Sequence, residues 1–243
     1  MWTLNAEAKL EFSTCDVDGE YHQLFPSRFP VVPLYERFGA LNVQRAAEAL
    51  EAKTNPRIIE MARLDLPPRP ASNANRSQNW NLAPFAYPIP EGTTFLNPAY
   101  RLLELIEGIR PAMAVAMMKR ETFLGDSEEP PINVEMRAVK RRIRGHFVDL
   151  RGHMLDNDQK IRWKLGASIY EQGAQGIIFN RPDLPGINAV AIFDSDTMDR
   201  AIQLDHYRFV WDGKMIRTIG NFRTEEQTKR EDLLAELIGR AAA

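Results

Sequence analysis

Apolar residues recur along this chain with two different periods, helical in the first half and mostly alternating in the second. Between residues 42 and 52, Val43, Ala46, Ala47 and Leu50 fall at helical spacing. The helix they predict stops before Thr54-Asn-Pro-Arg57, because Pro56 cannot continue it. Residues 98–107 read as a short second helix ended by Gly108. Pro111 then opens a third, running to about Phe123, since proline in a first helical turn removes no hydrogen bond. Met113, Met117 and Met118 lie on that third helix and read as core filler.

Past this point the apolar runs shorten. Residues 145–150 read as a strand and 160–172 as a helix. Residues 176–179 and 189–193 read as two buried strands, joined by a loop of about nine residues that suits antiparallel neighbours. Tyr207, Phe209 and Trp211 alternate ahead of Asp212-Gly213, with Ile216 in the next apolar stretch, a pattern that predicts a hairpin. A last helix is expected from Thr224, where Gln227 completes a capping box, through Leu233, Leu234, Leu237 and Ile238.

The remaining segments are irregular by composition. The first 35 residues predict one or two short strands. Pro26, Pro30 and Pro33 exclude a helix or central strand over 25–35. Residues 66–92 are rich in Pro, Asn and Ser yet carry Trp80, Phe85 and Tyr87, which favours a long ordered loop over a linker. Strands and helices without strict alternation imply an α+β class and a single domain over 1–243, with a core at about 21–222 and a C-terminal helix over 224–240. No internal repeat is present.

Charge and chemistry narrow the function further. The 243 residues carry a formal net charge of −2, which argues against a dedicated nucleic-acid binder. Arg137, Lys140, Arg141, Arg142 and Arg144 form a basic run that reads as a solvated face, with a local anion or partner site as the alternative. Cys15 is the only cysteine, so an intramolecular disulfide is excluded and a reducing compartment fits. The N-terminus has no secretory pattern and no apolar run approaches the roughly 20 residues of a membrane span, so a soluble cytoplasmic protein is expected.

His22, His146, His153 and His206 never fall at the i, i+4 spacing of a helical ligand pair, so no metal is expected. No Gly-x-Ser-x-Gly elbow or Gly-rich phosphate loop is present, and Cys15 has no nucleophile signature. Asp194, Asp196 and Asp199 read as a turn and a helix cap. The residues alone lead as far as a soluble α+β domain.

Several stretches taken together resemble the longer class of RES-domain proteins, bacterial toxins named for an Arg, a Glu and a Ser. They are Phe25-Pro-Ser-Arg-Phe-Pro30, Thr54-Asn-Pro-Arg57, Phe85-Ala-Tyr-Pro88 through Glu91-Gly92 and Phe95, and Arg120-Glu-Thr-Phe-Leu124. Residues 145–150, Gly176-Ile-Ile-Phe179, residues 188–193 and Trp211-Asp-Gly213 follow in the family's order, so the resemblance spans about 21–219. It implies a fold similar to ADP-ribosyltransferases, with no cofactor required and NAD as substrate only if the chain is active. It also implies a protein partner, either an antitoxin-like protein with a helix-turn-helix domain or a related RES protein, with a second copy of the chain left open. Neither a membrane nor direct nucleic-acid binding is implied.

Cleaving the ribose–nicotinamide bond requires an arginine on the pyrophosphate, a tyrosine against the cofactor and a glutamate facing the ribosyl cation. Carried over from the family, these positions fall on residues of other chemistry. The early arginine falls on Gln23, or on His22 after a slip of one. The motif arginine falls on Thr94, the tyrosine on Leu103 or Glu104, the glutamate on Val115, and the serine on Arg181 beside Asn180. The resemblance therefore implies a catalytically impaired, RES-like pseudoenzyme acting through binding. A rival register places the motif on Arg28, Tyr35 and Glu48 or Glu51, and implies an active toxin that degrades NAD or ADP-ribosylates a protein.

Overall fold

The computed structural model describes residues 12–27, the isolated positions 43, 46, 50, 84, 85 and 89, and residues 91–241. In chain order its elements are β1 (Thr14–Pro26), β2 (Leu103–Glu107), α1 (Ile109–Asp126), β3 (Ile132–Asp149), α2 (Gln159–Glu171), β4 (Gly176–Asn180) and β5 (Asn188–Ile192). They continue with β6 (Ile202–Trp211), β7 (Ile216–Asn221), β8 (Gln227–Lys229) and α3 (Arg230–Ala241). Among the described residues, all the strands belong to one eight-stranded mixed sheet. No helix among the described residues is long and apolar enough to cross a membrane.

β3 organises this sheet. Along one edge it pairs antiparallel with the whole of β1, from Thr14↔Val148 to Pro26↔Met136. Along the other it pairs first with β6 and then, in parallel, with β4 at Val148↔Ile177. A parallel neighbour needs a crossover, and α2 supplies it between β3 and β4. β4 pairs with β5, β5 with β2, and β2 returns to β1 at Tyr21↔Glu107. β1, β2, β5, β4 and β3 therefore form a closed circuit, from which β6, β7 and β8 extend.

Alternation along the strands sorts their side chains into two clusters. Val17, Leu103, Leu105, Ile143, Phe147, Ile178, Val190 and Ile192 share one, to which α1, α2 and α3 contribute no residue. Leu24, Ile106, Ile177, Phe179, Ala189 and Ala191 face the other, which takes Met113 and Met117 from α1, Ile169 from α2, and Leu233 and Leu237 from α3.

Most expected elements fall where the patterns place them. α1 contains Pro111 in its first turn behind Gly108 (φ 86°). α2 opens on Asp158, whose side chain accepts from Lys160 N. β4 and β5 are antiparallel neighbours, Gly176↔Ile192 to Asn180↔Asn188. β6 and β7 form the hairpin around Asp212-Gly213. Val43, Ala46 and Leu50 are helical; the rest of that segment, Trp80, Tyr87 and Pro30 to Tyr35 lie outside the described residues.

Four expectations are corrected. The short helix over 98–107 is absent: residues 103–107 are β2, bonded on both edges, with Leu103 and Leu105 on one face and Glu104 and Ile106 on the other. Burial on both faces removes the alternation that marks a strand. The opening strand is long, Thr14–Pro26, and Pro26 is its last residue. The basic run is the middle of β3 and only in part a solvated face, with Arg142 and Arg144 exposed. Arg137 and Arg141 are buried, while Lys140, Arg142 and Arg144 meet Glu20, Asp18 and Asp199. The last helix opens at Arg230 and not at Thr224, because Gln227–Lys229 pair with β7 as β8. The chain turns ahead of it, where Asn221 Oδ1 accepts from Arg223 N and Thr224 N and Glu225 takes a φ of 59°.

Candidate functional site

A cleft of about 320 Å³ opens on the helix-bearing side of the sheet. Glu91, Gly92, Thr93 and Thr94 form one wall, Glu104 of β2 lies among the lining residues, and Met118, Lys119 and Thr122 of α1 face it. Gln159 and Arg162 of α2 and the Arg181-Pro-Asp183 turn after β4 complete it. The wall is held by side chains of α2 that donate to its carbonyls. Trp163 Nε1 reaches Thr93 O at 2.9 Å and Arg162 Nε reaches Thr94 O at 3.2 Å. Arg162 Nη1 is committed to the carbonyls of Asp156 and Asn157, so this cation is spent on the scaffold.

The buried polar side chains of the cleft pair with one another. Glu104 Oε1 accepts from Thr94 N at 2.7 Å and Oε2 from Thr94 Oγ1 at 3.3 Å. Arg181 forks onto Asp183, Nε to Oδ1 at 2.8 Å and Nη2 to Oδ2 at 2.7 Å. Its Nη1 lies 3.8 Å from Glu104 Oε2. Burial opposes the Arg181 cation, but the Asp183 bonds and the Glu104 charge outweigh it and hold its pKa above the ordinary value. Burial likewise raises the Asp183 carboxyl, and Arg181 more than reverses this, leaving it below the usual carboxylate range.

Of the positions implied by the resemblance, Thr94, Glu104 and Arg181 meet here. Val115 does not line the cleft; it is buried in the apolar core one turn before Met118 and Lys119. Gln23 is on the opposite face of the sheet. Registered neighbours share a face, so Tyr21↔Glu107 puts Gln23 with Leu105, while Glu104 points the other way. Gln23 Oε1 there accepts from Arg141 Nη1, whose burial pushes its pKa down to about 9. Leu103 faces that same side, and Asn180 Nδ2 donates to Arg151 O. His22 pairs with Ile106 on β2, and burial lowers its pKa. Arg28, Tyr35, Glu48 and Glu51 lie outside the described residues.

Sequence reasoning missed Asp183, Arg162 and Gln159. Asp183 stands two residues after Arg181, a spacing that lets a carboxylate reach back across a proline-containing turn. Arg162 and Gln159 carry no local signal, because their partners in the wall are 68 and 66 residues away. A broader hollow of about 460 Å³ beside Asp205, His206 and Arg223 contains none of the positions implied by the resemblance. Among the described residues, no three His, Cys, Asp or Glu side chains group as a metal site.

No family model matches the chain. A chain of the MbcT–MbcA toxin–antitoxin complex of M. tuberculosis aligns with 47% of this chain and 73% of its own length, at 11% identity and a TM-score of 0.37. That similarity is too low to assign a fold or an activity. Sequence similarity is far stronger to the uncharacterized protein y4oC of Sinorhizobium fredii (strain NBRC 101917 / NGR234), which is 37% identical over 218 residues, covering 90% of this chain and 94% of y4oC. The chain belongs to the family of y4oC.

Proposed function

We propose that this chain is a RES-like protein of the NAD-consuming toxin lineage that has kept the scaffold, lost turnover, and acts by binding a protein partner in the cytoplasm. The partner class is an antitoxin-like protein or a related RES protein. The order of the sequence motifs supports the lineage, and function resides in the site and not in the scaffold. One observation carries the loss of turnover: the buried charges of the cleft are already paired with each other. Arg181 is forked onto Asp183 and faces Glu104, and Glu104 is held by Thr94. A pyrophosphate needs a cation not already neutralised by carboxylates, and a ribosyl cation needs a carboxylate not already facing a guanidinium. Thr94 and Val115 supply neither.

The test is nicotinamide release by the purified full chain over hours at millimolar NAD. Losing one electrostatic stabiliser costs about 100- to 1,000-fold in rate, so the loss of several is expected to leave only background release. Robust turnover would overturn the reading, and variants would then say why. Abolition by Arg28→Ala or Glu48→Ala establishes the rival register, whereas abolition by Glu104→Gln assigns the chemistry to the cleft. NAD is also expected to leave the melting temperature unchanged, since a ligand stabilises only a folded state that binds it.

A further inference from the structure

At one end of the closed circuit, all five strands turn a polar side chain to the face opposite the helices. Tyr21 of β1, Glu107 of β2, Asp149 of β3, Asn180 of β4 and Asn188 of β5 each fall in the alternation of the helix-free apolar cluster. Register sets them side by side, Tyr21 opposite Glu107 and Asn180 opposite Asn188. Hydrogen bonds continue the ring. Asn188 Nδ2 donates to Glu107 Oε2 at 2.7 Å, and Asn180 Nδ2 to Arg151 O at 2.9 Å. Arg151 in turn forks onto Asp149, Nε to Oδ1 at 3.0 Å and Nη2 to Oδ2 at 2.6 Å.

Tyr21 is directed into this ring. It is 5% exposed, and a Cβ built at Gly19 would lie 3.3 Å from its Cε2 and 3.9 Å from its Oη, so the phenol fills the space a glycine leaves along β1. Its hydroxyl has no hydrogen-bond partner among the described residues and lies within electrostatic reach of Glu107, Arg151 and Cys15. Burial and the Glu107 charge push this phenol up to about 12, so it stays neutral at physiological pH. Asp149 neutralises Arg151, whereas Glu107 has no ion pair among the described residues, which leaves the ring with a net negative charge. Acceptors also outnumber donors. Both amide nitrogens are committed, so Oδ1 of Asn180 and of Asn188 remain beside Glu107 Oε1 and the lone pairs of Tyr21 Oη. Glu107 is exposed, and the oxygens of Tyr21, Asn180 and Asn188 are not among the sealed polar atoms, so the ring is open to solvent. An anion would meet the Glu107 charge, and a hydroxyl brings no charge to offset it. A primary ammonium brings a positive charge and three donors. We propose that Tyr21, Glu107, Asn180 and Asn188 form a subsite for a primary ammonium group, carried by a small amine or by a lysine side chain.

This subsite lies on the face of the sheet away from the cleft, and its occupancy is independent of nicotinamide release. Saturation-transfer NMR titrations on the full chain would compare n-butylammonium, n-butyrate and 1-butanol, which share a chain and differ in head group, with a capped Gly-Lys-Gly peptide. Butylammonium is expected to saturate at about 1–10 mM, with no saturation by butyrate or butanol at equal concentration. The peptide tells the two sources apart. Binding at least about tenfold tighter than butylammonium assigns the subsite to a lysine of a partner protein, and equal or weaker binding assigns it to a small amine. Glu107→Gln keeps the shape of an exposed side chain and removes its charge, so it is expected to weaken the ammonium probes about tenfold or more. Tyr21→Phe removes one oxygen and is expected to weaken them about threefold. Glu135→Gln removes an exposed carboxylate elsewhere on the sheet and is expected to change nothing. Equal saturation by butyrate or butanol, no saturation by an ammonium probe below about 50 mM, or a Glu107→Gln effect no larger than that of Glu135→Gln would overturn the proposal.

Discussion

Glu121 is a single side chain on which three elements depend. Its Oε1 accepts from Ile216 N and from Arg230 Nε, both at 2.9 Å, and Oε2 accepts from Arg230 Nη2 at 3.3 Å, which ties α1 to β7 and α3. Glu121→Ala is expected to cost about 2–4 kcal/mol in urea unfolding, because it strands a half-buried guanidinium and a backbone donor. Glu121 falls within Arg120-Glu-Thr-Phe-Leu124, but its partners stand 95 and 109 residues further on, where no local pattern points. Gly92 is constrained differently. Its φ is +69°, and an added Cβ would lie 2.7 Å from Trp163 Cζ2 and 2.9 Å from Leu96 O. Gly92→Ala is expected to destabilise by about 1–3 kcal/mol and to shift Trp163 emission. Unchanged emission and stability would mean that the wall is not held as described.

At the scale of elements, the β1–β3 pair converts a basic run into a neutral ladder. Asp16, Asp18 and Glu20 register opposite His146, Arg144 and Arg142, and Arg142 bonds both carboxylate oxygens of Asp18. At the end of β3, hydrogen bonds from Arg151 pull the Asp149 carboxyl down from 3.8 to about 2. A folded-state pKa below the unfolded one stabilises the fold above pH 3.8 and loses that contribution as pH falls toward 2. Across that window the wild type is expected to lose thermal stability more steeply than Asp149→Asn, with the two converging at the acid end. Parallel curves would remove Asp149 from the account. In α3, Leu237 is 1% exposed and Ile238 is 69% exposed. Leu237→Ala is therefore expected to cost about 2–5 kcal/mol, and Ile238→Ala about 0.5 or less. The apolar positions of α3 were legible from their spacing. Its start was not, because the capping residues were drawn into a turn and an edge strand.

Over the whole molecule, the apolar cluster facing the helices runs from Leu24 of β1 to Leu237 of α3, across every strand of the closed circuit. Such a core is expected to melt in one transition, with tryptophan fluorescence and far-ultraviolet dichroism superimposing. Two separated transitions would indicate two cores.

The sequence by itself determined the elements whose signals are local. β4, β5, the β6–β7 hairpin, α1 and α2 each follow from an apolar period with a proline, glycine or aspartate at its boundary. The tertiary structure decided the rest. β2 reads as a helix until β1 and β5 occupy its two edges. Arg137 and Arg141 read as surface charge until β1 covers them. The cleft is decided at the same level: Thr94, Glu104 and Arg181 come together from a loop, a strand and a turn, while Gln23 is turned away by the two-residue period of β1. A local period records which face of an element is apolar, but which charges meet across a sheet depends on strand order and register, and these are set only when the chain closes on itself.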